Sequence, residues 1–563
     1  MKDLSILLFC LIIISCSKPD GVDTIIYNGE FYTATEQDSV TAIAIKDGLI
    51  FQLGTDEDIL ALKDNSTKLI NAESQFVMPG FIEGHGHFTN FGKSLQNLNF
   101  LQDTSWQDIV EKVRVKAAES DSGAWIYGRG WHQEKWFKAP VYSLGDYPRH
   151  DDLSAASPNN PVILVHASGH SLFANELAMQ TAGVSSETPD PKGGKIIKDD
   201  NGDPIGVFEE RAMTPIGLAY QEYMETLDWT QQYEKWLEAF RMAENECLKY
   251  GITSFQDAGL GYDELELVEE LALKNDLNVR LWIMLREKAD SLSNEQIQRF
   301  RKINLADNHY TCRAIKSEID GALGAHGAWL LEPYEDKKDF YGQNTTEISD
   351  VERIAEMCYN NNMQLCVHAI GDRANKETLD IIEEYNKKSV QDIRWRVEHA
   401  QHLHPSDIQR FKNTGAIASM QGVHCTSDAP FVEKRLGYMR ARIGAYAWKA
   451  LLDQGVTIVN GTDVPVESID PFANFHASVT RTRLDNGLRF FVEQRMDREQ
   501  ALKSYTIDAA YGAFEEDIKG SLEVGKLADV IILDTNLLTC EDDEIPNTKV
   551  LYTILGGELK YKG

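Results

Sequence analysis

At 563 residues the chain exceeds an ordinary single domain, and its composition, 42% hydrophobic and 26% charged, is that of a folded globular protein rather than a disordered one. It carries 56 Lys and Arg against 88 Asp and Glu, and the net charge of -32 repels nucleic acid phosphates and anionic lipid surfaces. Nucleic acid is therefore excluded as a partner, and one large domain with additions is the expected organisation.

Met1-Lys2-Asp3 precedes an apolar run, residues 4–14, that is too short to span a bilayer and has the length of a signal-peptide core. The run ends in Ile13-Ile14-Ser15-Cys16. Small residues before a cysteine, directly after such a core, resemble the lipobox of bacterial lipoproteins, in which the cysteine becomes the lipidated first residue. The expectation is an exported lipoprotein with signal residues 1–16, anchored through Cys16 at the outer membrane or the periplasmic face of a membrane. Cys247, Cys312, Cys358, Cys366, Cys425 and Cys540 lack CxxC spacing and read as mostly buried thiols.

From Asp23 short apolar runs alternate with the turn residues Asn28-Gly29 and Lys46-Asp47-Gly48, which is hairpin patterning. The far end repeats the style through residues 530–534 and 550–557, so residues 23–76 and 522–563 are predicted to form one composite β-sandwich domain. Between them, strand-like runs at 252–256, 279–285, 314–319, 365–369, 395–398, 416–420 and 456–460 alternate with helix-like stretches. With the apolar run before His85 they make the eight strands that close a (β/α)₈ TIM barrel, placed at 77–521. The stretch between His87 and Ile252 is too long for a barrel connection and is predicted to hold an inserted subdomain, about 88–235.

His85 and His87 end the first of these runs, and in an extended segment residues i and i+2 share a side, so both imidazoles can reach one ion. HxH alone is a weak signal. It gains weight from Lys316, His368, His399 and Asp463, each at or near the end of a later run, because barrel sites are built from the C-terminal ends of different strands. A lone buried histidine is more often a core residue, a lone lysine a surface charge, and Asp463 in Gly461-Thr462-Asp463 a turn former. Jointly, at the ends of successive strands, they read as a site.

The chain resembles the amidohydrolase superfamily, and within it amidohydrolase family 3, the YtcJ-like or N-substituted formamide deformylase-like metal-dependent hydrolases. The resemblance rests on Pro79-Gly80-Phe81-Ile82-Glu83-Gly84-His85-Gly86-His87, Gly128-Arg129-Gly130-Trp131, Ser168-Gly169-His170-Ser171, Val367-His368-Ala369-Ile370-Gly371-Asp372-Arg373, Glu398-His399-Ala400-Gln401 and Gly461-Thr462-Asp463. It implies that His85, His87 and Asp463 hold one divalent ion, zinc in the first instance, that His368 and His399 hold a second, and that Lys316, carboxylated by CO₂, bridges them. A carbamate suits that place chemically, since an ammonium cannot ligate a cation. Much of the superfamily has Asp two residues before the first histidine, where this chain has Glu83.

The function implied is hydrolysis of a carbon–nitrogen bond other than a peptide bond, in an amide, N-formyl or cyclic amide, by metal-activated hydroxide, with Asp463 as acid and base. His170, Arg373 and His424 are candidates for substrate contact. The same site would serve an esterase or lactonase, and a lipid-tethered binding protein without turnover is the alternative from another class. The implied partners are a small-molecule substrate and the membrane holding the lipid anchor, with a homodimer as the allowed assembly.

Overall fold

The structure is a computed structural model that describes residues 21–563 apart from 37–38, 101–102, 134–135, 137–142, 145–146 and 167–170. The expected signal segment with Cys16, and His170, lie outside the described residues. Two compact units are present: one joins the stretch up to His87 to Glu246–Gly563, and the other is Phe88–Asn245.

The first unit contains eight parallel strands in chain order, β1 (Phe81–Gly86), β2 (Ile252–Leu260), β3 (Arg280–Leu285), β4 (Tyr310–Glu318), β5 (Gln364–Ala369), β6 (Arg396–His399), β7 (Ile417–Gln421) and β8 (Ile458–Gly461). Each pairs with the next. The eighth returns to the first through the bond from Asp463 N–H to the His85 carbonyl at 2.7 Å, so the expected (β/α)₈ barrel is present and nearly closed. Strands buried on both faces read as continuous apolar runs, as in the Arg-Leu-Trp-Ile-Met-Leu of β3, every residue of which is buried. Inside, Ala258, Trp282, Met284, Ala314 and Cys366 pack together with Ala513.

The apolar run before His85 is two strands rather than one. Phe76–Pro79 pairs antiparallel with Val530–Leu533, and β1 begins only after Gly80. A Cβ at Gly80 would lie 2.2 Å from the Thr253 hydroxyl, so glycine is what lets the chain step from one sheet to the other. Phe76–Pro79 belongs to a five-stranded sheet with three strands from the C-terminus, beside a four-stranded sheet from residues 24–71. Ile26, Ile43 and Ile45 of the latter share one core with Val77, Val530, Ile532 and Ile554 of the former. Neither terminal segment is long enough to bury such a core alone.

The second unit has a six-stranded sheet in which Ile126–Trp131 and Val162–His166 run parallel at the centre. Trp106, Trp131 and Phe173 form its core, and the Trp131 indole donates to the Leu164 carbonyl at 2.7 Å. Trp131, in the Gly128-Arg129-Gly130-Trp131 motif, is therefore a core residue of this unit. Cys247, Cys312, Cys358, Cys366 and Cys425 are buried and Cys540 is half-buried, none of them in a disulfide among the described residues. Among the described residues no helix is long and apolar enough to cross a membrane.

Candidate metal centre

His85 lies at the C-terminal end of β1 with His87 just beyond it, and their ring centroids are 5.9 Å apart. The seam between β1 and β8 sets their position. Asp463 N–H donates to the His85 carbonyl, and His87 N–H donates to the Val464 carbonyl at 2.8 Å. Asp463 sits at φ 59, the left-handed region that aspartate tolerates better than most residues. Its Oδ1 lies 3.3 Å from His87 Nε2 and 3.7 Å from His85 Nε2. The seam is tight because a Cβ at Gly461 would come within 2.4 Å of both Glu83 Oε1 and the His85 nitrogen.

His399 ends β6 at φ 72, and Ala400 follows at φ 41. In a regular strand Glu398 and His399 would face opposite sides. Here both reach His85: Glu398 Oε2 accepts a short hydrogen bond from His85 Nδ1, and the His399 ring is 4.7 Å from that of His85. The left-handed turn at His399 makes this convergence possible, a local strain of the kind that clusters at functional sites. The His399 ring is also 4.4 Å from that of His368 at the end of β5. Lys316, buried on β4, pairs in register with Cys366, two residues before the Glu318–His368 pair. His85, His399 and Asp463 each offer a ligand atom within 4.8 Å of the other two.

The electrostatics favour metal-ligand protonation states. Burial, reinforced by Lys316, lowers His85 to about 4 and His368 to about 3, so both imidazoles are neutral with a free lone pair at neutral pH. His399 is also held well below the usual range by burial and by His368. Burial disfavours ionisation of Asp463, but His87, His85, His399 and His424 outweigh it and hold the carboxyl well below the ordinary carboxylate range. Burial likewise lowers Lys316, although Glu398 and Asp463 act in the opposite direction. His85 Nε2, His368 Nε2, His424 Nε2 and Asp463 Oδ1 are buried and make no hydrogen bond among the described residues. Buried polar atoms are normally satisfied; the lone pairs of His85 Nε2, His368 Nε2 and Asp463 Oδ1 fit a cation, whereas His424, whose Nδ1 accepts from Gln401, carries its proton on Nε2.

Of the candidates for substrate contact, His424 reaches the centre: its Nε2 is 4.0 Å from Asp463 Oδ2 and its ring lies parallel to that of His399, with centroids 6.3 Å apart. Gln401 Nε2 donates to its Nδ1 at 3.1 Å. Arg373 instead pairs with Glu377 at 2.6 Å and stacks its guanidinium over Trp329.

Sequence reading missed the groups behind the ligands. Glu398 is clasped by Arg396, Nε to Oε1 at 2.7 Å, with both side chains fully buried. Gln421 Oε1 accepts from His399 Nδ1 at 2.8 Å. Asp320 accepts from the N–H groups of Trp329, Ile370 and Gly371, and its Oδ1 lies 3.8 Å from His368 Nε2. Glu83 accepts from Thr462 N–H at 2.6 Å and from its hydroxyl at 3.1 Å, and burial raises its pKa to about 8. One signal was present in the sequence: Arg396 and Glu398, opposite charges two residues apart, share a side of a strand that is otherwise apolar.

The signature described as the amidohydrolase family matches residues 68–561. The chain is 29% identical to the protein LONG AFTER FAR-RED 3 of Arabidopsis thaliana over 97% of this chain and 93% of that one. It is 27% identical to the putative amidohydrolase YtcJ of Bacillus subtilis, covering 95% and 99%. It is 24% identical to the N-substituted formamide deformylase of Arthrobacter pascens, covering 96% and 98%. Among solved structures, an uncharacterized metal-dependent hydrolase from Pyrococcus furiosus superimposes with a TM-score of 0.71 at 26% identity, covering 92% of this chain and all 100% of that one. A counterpart from Pyrococcus horikoshii gives 0.73 at 24% identity, covering 92% and 99%, and supports the same fold.

Proposed function

We propose, from the premise that this chain belongs to the amidohydrolase family, that it hydrolyses a carbon–nitrogen bond other than a peptide bond in a small molecule, an amide, N-formyl compound or cyclic amide. The family is one of metal-dependent hydrolases, and the relative from Arthrobacter pascens is named for cleaving N-substituted formamides. The observation that carries the reading is the convergence of His85, His399 and Asp463, whose ligand atoms lie within 4.8 Å of one another, with the His368 ring 4.4 Å from that of His399. His85, His87 and Asp463 would hold one divalent ion and His368 and His399 a second, with zinc as the metal proposed. Lys316 would join them as a carbamate.

When bound, the ions polarise the scissile carbonyl and acidify a water toward neutral pH. Asp463, ionised and with Oδ1 3.3 Å from His87 Nε2 and 3.7 Å from His85 Nε2, takes the proton of the attacking water. It then returns that proton to the leaving nitrogen, and His424 Nε2, facing Asp463 Oδ2 across 4.0 Å, lies where it contacts the substrate. The tether through Cys16 is part of the proposal on sequence grounds alone.

The test is a panel of N-formyl amines, N-acyl amides, cyclic amides, lactones and aryl esters offered to the zinc-loaded protein. Amide or N-formyl turnover that disappears with a chelator and returns with zinc is the expected result. Turnover confined to esters or lactones, or turnover indifferent to the chelator, would overturn the proposal.

A further inference from the structure

We infer that Glu398, braced by Arg396, makes the histidine ligands unequal, so that the metal position built on His85 fills first and binds most tightly. The inference rests on the metal-centre reading above and adds an order of loading to it.

The carboxylate of Glu398 is fixed from below. Arg396 gives Nε to Glu398 Oε1 at 2.7 Å, Nη1 to Gln256 Oε1 at 2.6 Å, and Nη2 to the Gly84 carbonyl and the Ser419 hydroxyl, both at 2.8 Å, and to Glu398 Oε2 at 3.2 Å. These partners come from β6, β2, β1 and β7, so the guanidinium is held across the barrel interior and cannot follow a rotating carboxylate. Glu398 Oε2 then faces His85 Nδ1. An ionised carboxylate only accepts, so His85 must carry its proton on Nδ1 and present the Nε2 lone pair toward Asp463. A negative partner in a site sealed from water also increases the electron density that Nε2 offers to a cation.

The two ring ligands of the other position, His399 and His368, have weaker support. His399 Nδ1 faces the neutral amide oxygen of Gln421 at 2.8 Å, which sets the same tautomer but contributes a dipole in place of a charge. Asp320 Oδ1 lies 3.8 Å from His368 Nε2, the nitrogen that would face the ion rather than the one behind it, and the Asp320 carboxylate is already engaged by the N–H groups of Ile370, Gly371 and Trp329 at 2.9, 2.8 and 2.8 Å. Removing a carboxylate behind a metal-binding imidazole weakens metal affinity by roughly 10–100-fold, and that range sets the size of the expected inequality. A purely structural role for the Arg396–Glu398 pair, tying strands together, is the competing explanation. It predicts a change in folding stability without a change in metal affinity.

The experiment is zinc titration of the full chain stripped of metal, in competition with a chromophoric chelator, with thermal unfolding of the stripped protein measured in parallel. Wild type should take up zinc in two unequal steps. Glu398→Gln, nearly the same shape without the charge, should weaken the first step by roughly 10–100-fold and leave the second unchanged. Gln421→Glu, which places a charge behind His399, should tighten the second step, and it carries the test alone if Glu398→Gln does not fold. Two equal steps in wild type, or wild-type zinc affinity in Glu398→Gln with only a lowered melting temperature, would overturn the inference while leaving the metal centre in place. A wild-type chain that binds no zinc, cobalt or manganese would remove the metal centre itself, and the inference with it.

Discussion

Lys316 determines whether the centre holds two ions or one, and Lys316→Ala is the perturbation that separates these cases. The side chain is 4% exposed and stands on β4 beside Cys366 of β5, among Glu398, Asp463, His85 and His368. As an ammonium about 5 Å from a doubly charged ion, at an effective dielectric of about 20, it would be repelled by roughly 7 kcal/mol, about five powers of ten in metal affinity. As a carbamate it would carry the opposite sign and could serve as an anionic ligand. Lys316→Ala is therefore expected to lose most bound metal, and Lys316→Glu, which restores an anion at similar reach, to recover part of it. Elemental analysis of the three proteins prepared side by side is the assay, and a ¹³C carbamate signal from wild type grown or exchanged in labelled bicarbonate supports it. Wild-type metal content in the alanine variant would refute the reasoning and show that Lys316 is no ligand, and a ratio of one ion per chain in both proteins would make the centre mononuclear.

Asp463→Asn keeps the oxygen that faces His85 and His87 but removes the base; kcat is expected to fall by roughly 10²–10⁴, measured on whichever amide the panel identifies. His402, buried with neither ring nitrogen hydrogen-bonded among the described residues, is lowered by burial from 6.5 to about 3. The unfolded chain takes up this proton below 6.5 while the folded chain resists it, so stability is complete above that pH and falls with acidification, by about 2 kcal/mol at pH 5. His402→Leu should shrink the stability difference between pH 8 and pH 5 in urea titrations by about 2 kcal/mol, the buried His85, His368 and His399 supplying the rest, and an unchanged difference would exclude His402 as a source. Cys16→Ser is expected to move the protein from the detergent phase to the aqueous phase on expression in a bacterial host, and unchanged partitioning would exclude the lipid anchor.

The barrel was legible because its strands are buried on both sides and therefore written as apolar runs, several of them ending in a residue of the centre. His85, Lys316, His368, His399 and Asp463 could be placed this way without any knowledge of contacts. The groups that hold them could not. Glu398 and His85 are 313 residues apart and meet only once the barrel closes. His399 reaches the centre through a left-handed φ that nothing in Val397-Glu398-His399-Ala400 announces. The step at Gly80 was hidden for a related reason, since Phe76 to Ile82 is apolar across a boundary between two sheets. Glu83, noted in the sequence as a departure from the usual aspartate, is buried and spans to both the N–H and the hydroxyl of Thr462. Arg373 had the right motif around it, but a half-exposed arginine finds local partners, here Glu377 and Trp329.

His85 is constrained from two directions, and this distinguishes it from the other ring ligands. Along the seam, its carbonyl receives Asp463 N–H, and the neighbouring Gly84 and Gly461 leave no room for a side chain between β1 and β8. From the interior, Glu398 grips its Nδ1 and is itself held by Arg396 to β1, β2 and β7. The bonds that close the barrel are thus the bonds that aim His85, His87 and Asp463 at one another. An ion seated there would bind only the closed form, so its affinity adds to the stability of the closed barrel by mass action. His368 and His399 stand on β5 and β6, outside the backbone bonds of that seam although His399 reaches His85, and an ion held through them has less of the fold to stabilise. Metal removal should accordingly open the β8–β1 seam before it disturbs β3 to β6, and hydrogen exchange at Thr462, Asp463 and His87 should rise ahead of exchange in Gln364–Ala369.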